Sequence, residues 1–207
     1  MTIQFGSKLG RALFLANILT ISISCYAQEN IAYGIAIDAP LSLSECPRME
    51  SAGMVIYKLS KEPCLQNLFP KAGVPLNLDS GLTVVFPVGQ TPYGSSWNQV
   101  GLVVLEGRVA ALTISTTGAT SQNQLFENLV AKYGPPNTKQ SISLQNAYGA
   151  KVESIVAEWD KGENLQVNFF GIIGRADSGQ LLIGTRAGLA ERQARIDRAL
   201  KGGTRPL

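Results

Sequence analysis

Four strand-like segments follow one another closely in the second half of the chain, and this succession restricts the possible folds more than any other feature. Each segment is rich in β-branched and aromatic residues, which favour strands. The segments are residues 139–146, 151–159, 164–172 and 180–186. Short turn-like sequences such as "AYGA" and "DKGE" separate them. Because parallel neighbours need long crossover connections, these strands are predicted to pair antiparallel.

The segment "SQNQLFENLVAKYGPP" predicts the clearest helix of the chain. Ser121 and Gln124 have the spacing of a capping box at the helix start. Gly134 fits the left-handed position that ends a helix, and Pro135 prevents its continuation. Apolar residues recur at three- and four-residue spacing and form one stripe. They are Leu125, Phe126, Leu129, Val130 and Tyr133. This helix is predicted to cover the sheet.

Other strand-like segments precede this helix. Residues 100–116 contain two apolar runs that meet at Glu106 and Gly107, which predicts a hairpin with a two-residue turn. Residues 31–38 and 53–59 are further strand candidates. Successive strands with few helices are typical of the α+β class. We therefore expect an antiparallel sheet with one packed amphipathic helix and a C-terminal helix.

The first 27 residues have the layout of a secretory signal peptide. Lys8 and Arg11 form a basic region, and 13 mostly apolar residues follow from Ala12 to Ser24. Small side chains three residues and one residue before Gln28 predict cleavage after Ala27. The apolar run is too short to cross a membrane. The expected location is therefore the periplasm or the extracellular space, without a transmembrane segment in the mature chain.

A lipoprotein is the alternative interpretation of this N-terminal segment. In that case Cys25 would be the acylated residue. Ser22 stands three residues before it, where an aliphatic residue is usual, so the match to a lipoprotein pattern is poorer.

Two cysteines, Cys46 and Cys64, remain after the predicted cleavage. An even pair in an exported chain predicts a disulfide. A zinc site would need further ligands, and the sequence contains no histidine. A redox-active pair normally has two intervening residues, whereas seventeen separate these cysteines. The bridge is predicted to stabilise the fold, and no metal site is expected.

The C-terminal residues 186–207 are predicted to form a basic helix and tail. They contain six basic and two acidic residues, whereas residues 28–185 carry a net charge of −3. Arg192, Arg195 and Arg198 are candidates for contacts with a partner or an anionic surface. The alternative is a solvated terminal helix with one apolar side along Leu189.

Candidate binding residues also lie in the segment "TPYGSSWN", which ends at Asn98. Tyr93 and Trp97 occur there among turn-forming residues, where exposed aromatic side chains can anchor an interface. The alternative is that the segment folds back and places Trp97 against the sheet. Trp159, by contrast, alternates with Ala157 on one face of a strand and is predicted to fill the core.

Several classes of chemistry are excluded by composition and motifs. Without histidine the chain cannot form Ser-His-Asp or Cys-His nucleophile pairs. Neither glycine-rich phosphate-binding pattern occurs, so no cofactor is expected. After the predicted cleavage 16 basic and 15 acidic side chains remain, a balance that does not favour nucleic acid as a partner.

One carboxylate pair keeps an enzymatic alternative open. Glu158 and Asp160 would point to the same face of a strand, roughly 7 Å apart at the usual rise per residue. Inverting glycosidases use separations in this range. The same two acids are also ordinary where a strand enters a glycine-containing turn.

Together these features predict three regions, namely the signal peptide 1–27, a single α+β domain 28–185 and the basic segment 186–207. The expected function is that of an exported, non-enzymatic binding or accessory protein of the bacterial cell envelope, as an inhibitor or adaptor. Its partner would be a protein or another envelope component. The alternatives are a carboxylate-dependent hydrolase of envelope glycans and a lipid-anchored assembly factor.

Overall fold

An eight-stranded antiparallel sheet dominates the protein. The computed structural model describes residues 30–78, 81–145, 149 and 151–203. The strands are β1 (Ile31–Ala32), β2 (Ile35–Ala36), β3 (Arg48–Ser51), β4 (Met54–Tyr57), β5 (Cys64–Asn67), β6 (Leu82–Val85), β7 (Gln99–Leu105), β8 (Arg108–Thr116), β9 (Thr138–Gln145), β10 (Lys151–Asp160), β11 (Gln166–Phe170) and β12 (Gly179–Gly184). The helices are α1 (Gln122–Tyr133) and α2 (Arg186–Gly203), with a short 3-10 helix at Gly118–Thr120.

The large sheet has the strand order β5-β6-β7-β8-β12-β11-β10-β9, and β1–β2 and β3–β4 form two separate hairpins. All neighbouring strands pair antiparallel, as the short connections predict. The β7–β8 turn at Glu106 and Gly107 has the positive φ angles of a tight hairpin. The α+β prediction is confirmed, although the sheet is larger than the sequence indicated.

The main core lies between one face of this sheet and α1. Alternating residues of the central strands point to this face, and Leu125, Leu129 and Tyr133 of α1 pack on them. Trp159 of β10 is 1% exposed, and its indole N–H donates to the carbonyl of Gly134 at 2.8 Å. The predicted core position of this tryptophan is therefore confirmed.

The start of α1 differs from the predicted capping box. Ser121 has helical backbone angles because the 3-10 helix leads directly into α1, and its hydroxyl makes no capping hydrogen bond. Gln124 instead donates to the side chain of Asn128 at 3.2 Å. The end of α1 follows the prediction, since Gly134 has a φ of 76° and its N–H donates to the carbonyl of Val130.

The N-terminal strand predicted over residues 31–38 is a hairpin instead. Tyr33 and Gly34 both have positive φ, at 52° and 78°, and they reverse the chain between β1 and β2. A turn of this kind favours glycine at its second central position, and "YG" supplies it. The hairpin places Ala32 and Tyr33 beside α1.

The opposite face of the sheet is covered in part by α2. Leu189 packs there against Val103 and Ala110. Gly188 allows this close approach, because a Cβ atom at that position would lie 2.2 Å from the carbonyl oxygen of Ala110. That oxygen already accepts a hydrogen bond from the N–H of Thr185 at 2.8 Å, so it has little freedom to move.

We expect Gly188→Ala to push α2 away from β8 and to lower the free energy of unfolding by about 2 kcal/mol, the range of overpacking substitutions. Urea unfolding and amide exchange of α2 measure the two effects. Ala190→Gly is the control, since it weakens the same helix by about 1 kcal/mol of propensity without a steric conflict. A Gly188→Ala variant as stable as the parent would contradict this docking.

The Cys46–Cys64 disulfide is present, as predicted. It lies where the first edge strand of the sheet, β5, meets the preceding chain. The N–H of Cys46 donates to the carbonyl of Leu65 at 2.7 Å, and the N–H of Leu65 donates to Ser44 at 2.8 Å. The segment Ser44–Cys46, which the bridge ties to β5, therefore covers the β5 edge. This edge would otherwise expose unpaired backbone groups.

The predicted signal peptide, including Cys25, lies outside the described residues. Neither helix in the described part of the chain combines the length and the apolar character that crossing a membrane requires.

Candidate functional site

Three large exposed apolar side chains belong to the segments that form a groove beside the disulfide. Leu59 is 84% exposed, Val88 82% and Trp97 69%, and we call these three residues the Trp97 surface. Leu59 lines a groove of about 180 Å³ together with Pro87 and Asn98, which are the chain neighbours of Val88 and Trp97. The groove thus brings together three segments that are distant in sequence, and each of these segments carries one of the exposed apolar side chains.

Hydrogen bonds hold the backbone beneath the Trp97 surface in place. Phe86 donates its N–H to the carbonyl of Asn98 at 2.8 Å, and the Asn98 side chain donates back to Phe86 at 3.3 Å. The hydroxyl of Ser95 donates to the carbonyl of Trp97 at 2.6 Å. The Trp97 ring does not fold back against the sheet, but stands exposed on an ordered turn.

The disulfide contributes to this surface through Leu59. Cys46 and Cys64 both line the groove, and the loop between them carries the β3–β4 hairpin and Leu59. The hairpin is held at its other side, where Tyr57 accepts a hydrogen bond from the N–H of Asn67 at 3.2 Å. The bridge therefore restrains the loop that carries Leu59 beside the groove.

Tyr93 lies at a different place, beside a cavity of about 230 Å³ between α1 and the β1–β2 hairpin. Gly94 brings this segment onto the helix, since it has a φ of 74° and a Cβ atom there would lie 2.5 Å from Leu125. Buried Leu129, Leu181 and Ile183 form the apolar floor of the cavity. The structure thus separates the two aromatic residues that the sequence grouped.

Polar groups surround the mouth of this cavity. The ammonium group of Lys132 donates to the carbonyl of Ile31 and lies 5.2 Å from the centroid of the Tyr133 ring. Partial desolvation of this ammonium group lowers the pKa of Lys132. Burial also raises the pKa of Tyr33, to about 12.

Sequence reasoning did not identify Tyr33 and Lys132 as site residues. Lys132 belongs to the polar side of α1 and resembles ordinary solvated surface in the sequence. Its contact with Ile31 joins positions 101 residues apart, which helical periodicity cannot reveal. The "YG" pair was the available signal, because it indicates the turn that brings Tyr33 to the helix.

Each of the three candidate arginines of α2 has a partner within the protein. Arg192 donates to the hydroxyl of Thr113 at 2.7 Å, and burial against the sheet lowers its pKa. Arg195 and Arg198 instead contact the same oxygen of Glu191, at 2.9 and 2.8 Å. Hydrogen bonds from Arg195 and then Arg198 lower the pKa of that carboxyl. The Arg192 contact joins α2 to β8, whereas the pairs with Glu191 lie within α2.

Only part of the apolar side predicted for α2 packs on the sheet. Leu189 contacts the sheet, whereas Ile196 and Leu200 are exposed, Leu200 to 69%. The second half of the helix thus extends beyond the surface that its first half covers.

Glu158 and Asp160 do lie on the same face of β10, and both are exposed. The Asp160 carboxylate accepts from Arg186 at 3.2 Å and from the N–H of Gly162 at 2.9 Å. Glu158 contacts the hydroxyl of Thr138 at 3.5 Å. Neither acid lines the groove or the cavity described above. Their contacts anchor a turn and the start of α2.

Within the described ranges no cluster of three acidic or cysteine side chains could hold a metal ion. Comparisons of the chain with protein-family models, curated proteins and solved structures found no match.

Proposed function

We propose that this protein is an exported, non-enzymatic binding protein of the bacterial cell envelope that engages a protein partner through the Trp97 surface. The observation that carries the proposal is the exposure of Leu59, Val88 and Trp97 on three segments that together form one groove. Contiguous exposed apolar groups are typical of interaction sites. Tryptophan is among the residues that most often dominate binding energy at interfaces.

Export is supported by the disulfide, because such bridges persist in oxidising compartments. The predicted leader 1–27 has the composition of a secretory signal. A periplasmic or secreted location agrees with both features.

The groove also indicates the chemistry of the partner. Lys58 is the charged residue that lines it, among mostly apolar and amide side chains. An apolar group flanked by acidic residues would complement this arrangement. Because charges at the rim act mainly on association rate, binding should weaken as salt concentration rises.

A non-enzymatic role is supported by the lack of some side chains that commonly act in catalysis. The sequence has no histidine, and Cys46 and Cys64 are bonded to each other. Asp160, one of the two acids of the hydrolase alternative, is engaged by Arg186. No specific observation favours the glycan hydrolase or the lipid-anchored assembly factor over a binding protein.

Trp97→Ala is expected to weaken partner binding at least thirtyfold, the effect of removing about 2 kcal/mol from an interface centre. Oxidised residues 28–207 serve as bait in native envelope extract, and the captured protein is quantified relative to bait. The free energy of unfolding should change by less than about 0.5 kcal/mol, since the side chain is exposed.

Phe69→Ala is the matched control. Phe69 is 82% exposed, but it follows β5 at the end of the strand away from the disulfide. The proposed site would be contradicted if both variants captured the partner as well as the parent does. It would also be contradicted if Phe69→Ala, and not Trp97→Ala, abolished capture of the partner.

A further inference from the structure

The cavity beneath α1 is a second site, separate from the Trp97 surface, since the two share no lining residue. Its floor consists of side chains that are almost completely buried, among them Leu125, Leu181 and Ile183. Pockets of this kind bind the apolar part of a small ligand, while a few polar groups fix its orientation.

The polar groups at its mouth are mainly hydrogen-bond donors. Lys132 has three ammonium protons, of which one is given to the carbonyl of Ile31. The side-chain oxygen of Asn128 already accepts a hydrogen bond from Gln124. The NH₂ group of Asn128 is a hydrogen-bond donor. Tyr33 and Tyr93 add two phenolic hydroxyls.

Among the described residues, no acidic side chain pairs with the Lys132 charge at this mouth. No aspartate or glutamate is among the residues that line the cavity, and no ion pair within the described ranges includes Lys132. A cation beside an excess of donors is complementary to an anionic group. The apolar floor excludes a ligand that is charged throughout.

The volume limits the size of the ligand. A cavity of about 230 Å³ holds about eight water-sized groups, at roughly 30 Å³ for each. A long acyl chain would therefore leave most of its length outside.

We propose that this cavity binds a small monocarboxylate with about eight carbon atoms in total, its carboxylate at Lys132 and its apolar chain on Leu129, Leu181 and Ile183. This ligand site is independent of the protein partner proposed above.

Octanoate is the probe, added to oxidised residues 28–207 in isothermal titrations, with octanol and octylammonium as analogues of the same length. Octanoate is expected to bind at least tenfold more tightly than either analogue. In a series from butanoate to dodecanoate, affinity should rise about fourfold for each methylene up to eight carbons and then level off.

Lys132→Met removes the charge but keeps a similar stem, and it is expected to weaken octanoate binding at least tenfold. Lys139→Met makes the same charge change outside the cavity, where Lys139 lies 4.4 Å from the Phe126 ring centroid, and should leave binding unchanged. Both variants are first checked for parental thermal stability.

Amide chemical shifts locate the bound acid, and changes should concentrate in α1 and the β1–β2 hairpin. The proposal is overturned by equal affinity for octanoate and octylammonium, by affinity that keeps rising through dodecanoate, or by absence of binding at 10 mM octanoate. Equal weakening by both lysine variants would also overturn it.

Discussion

Replacement of both Cys46 and Cys64 by serine is expected to lower the free energy of unfolding by about 3 kcal/mol. The bridge joins residues 18 positions apart, and closing a loop of this size restricts the unfolded chain by about that amount. Urea unfolding of the oxidised parent and of the double variant, at equal ionic strength, measures the difference. Reductant should destabilise the parent and leave the double variant unchanged.

The loss should be concentrated at the β5 edge of the sheet. Leu65 exchanges backbone hydrogen bonds with the segment Ser44–Cys46, which the bridge holds against it. Amide exchange in β5 should therefore accelerate more than in β12, at the centre of the sheet. A loss below about 1 kcal/mol, or uniform acceleration in both strands, would contradict this role.

Trp159→Ala is expected to cost about 4 kcal/mol, the upper range for a large side chain removed from a packed core. Trp159 is 1% exposed, its ring centroid lies 6.0 Å from that of Phe126, and its N–H bonds to Gly134 at the end of α1. Its removal would therefore leave a cavity and also loosen the attachment of the helix to β10.

The matched control for this core substitution is the other tryptophan. Trp97→Ala removes the same atoms from an exposed position and should change stability by less than about 0.5 kcal/mol. Urea unfolding followed by far-UV circular dichroism compares the two variants without relying on tryptophan fluorescence. Similar losses at both positions would contradict the assignment of one tryptophan to the core and the other to the surface.

The second half of the fold was predictable because its determinants are local. Alternation along β10 identified the buried face of Trp159, and short turns required antiparallel pairing. The positive φ of Glu106 and Gly107 agrees with the two-residue turn inferred from the sequence.

The features that sequence reasoning missed depend on distant contacts. The pairing of β12 with β8, across α1 and three strands, is not indicated by any local pattern. The 3-10 helix at Gly118–Thr120 changes how the chain enters α1, so the spacing of Ser121 and Gln124 did not produce a capping box. The chain reversal at Tyr33 likewise replaced a predicted strand by a hairpin.

The candidate sites were only partly predictable for the same reason. Trp97 was identified from its surroundings of turn-forming residues, but the groove formed by its segment and those of Leu59 and Val88 arises only in the tertiary fold. The arginines of α2 were identified by their charge; in the structure Arg192 contacts the sheet, whereas Arg195 and Arg198 pair with Glu191 in the same helix. Charge density in a sequence does not distinguish a binding site from a structural ion pair.

The most direct test of the proposed function is photocrosslinking from the Trp97 surface. A photoreactive amino acid replaces Leu59 in one variant and Phe69 in a second, and both are irradiated in native envelope preparations. Leu59 and Phe69 are almost equally exposed, at opposite ends of β5. We predict one dominant crosslinked protein from position 59 that Trp97→Ala abolishes, and none from position 69. Identical crosslinking from both positions, insensitive to Trp97→Ala, would contradict the proposal.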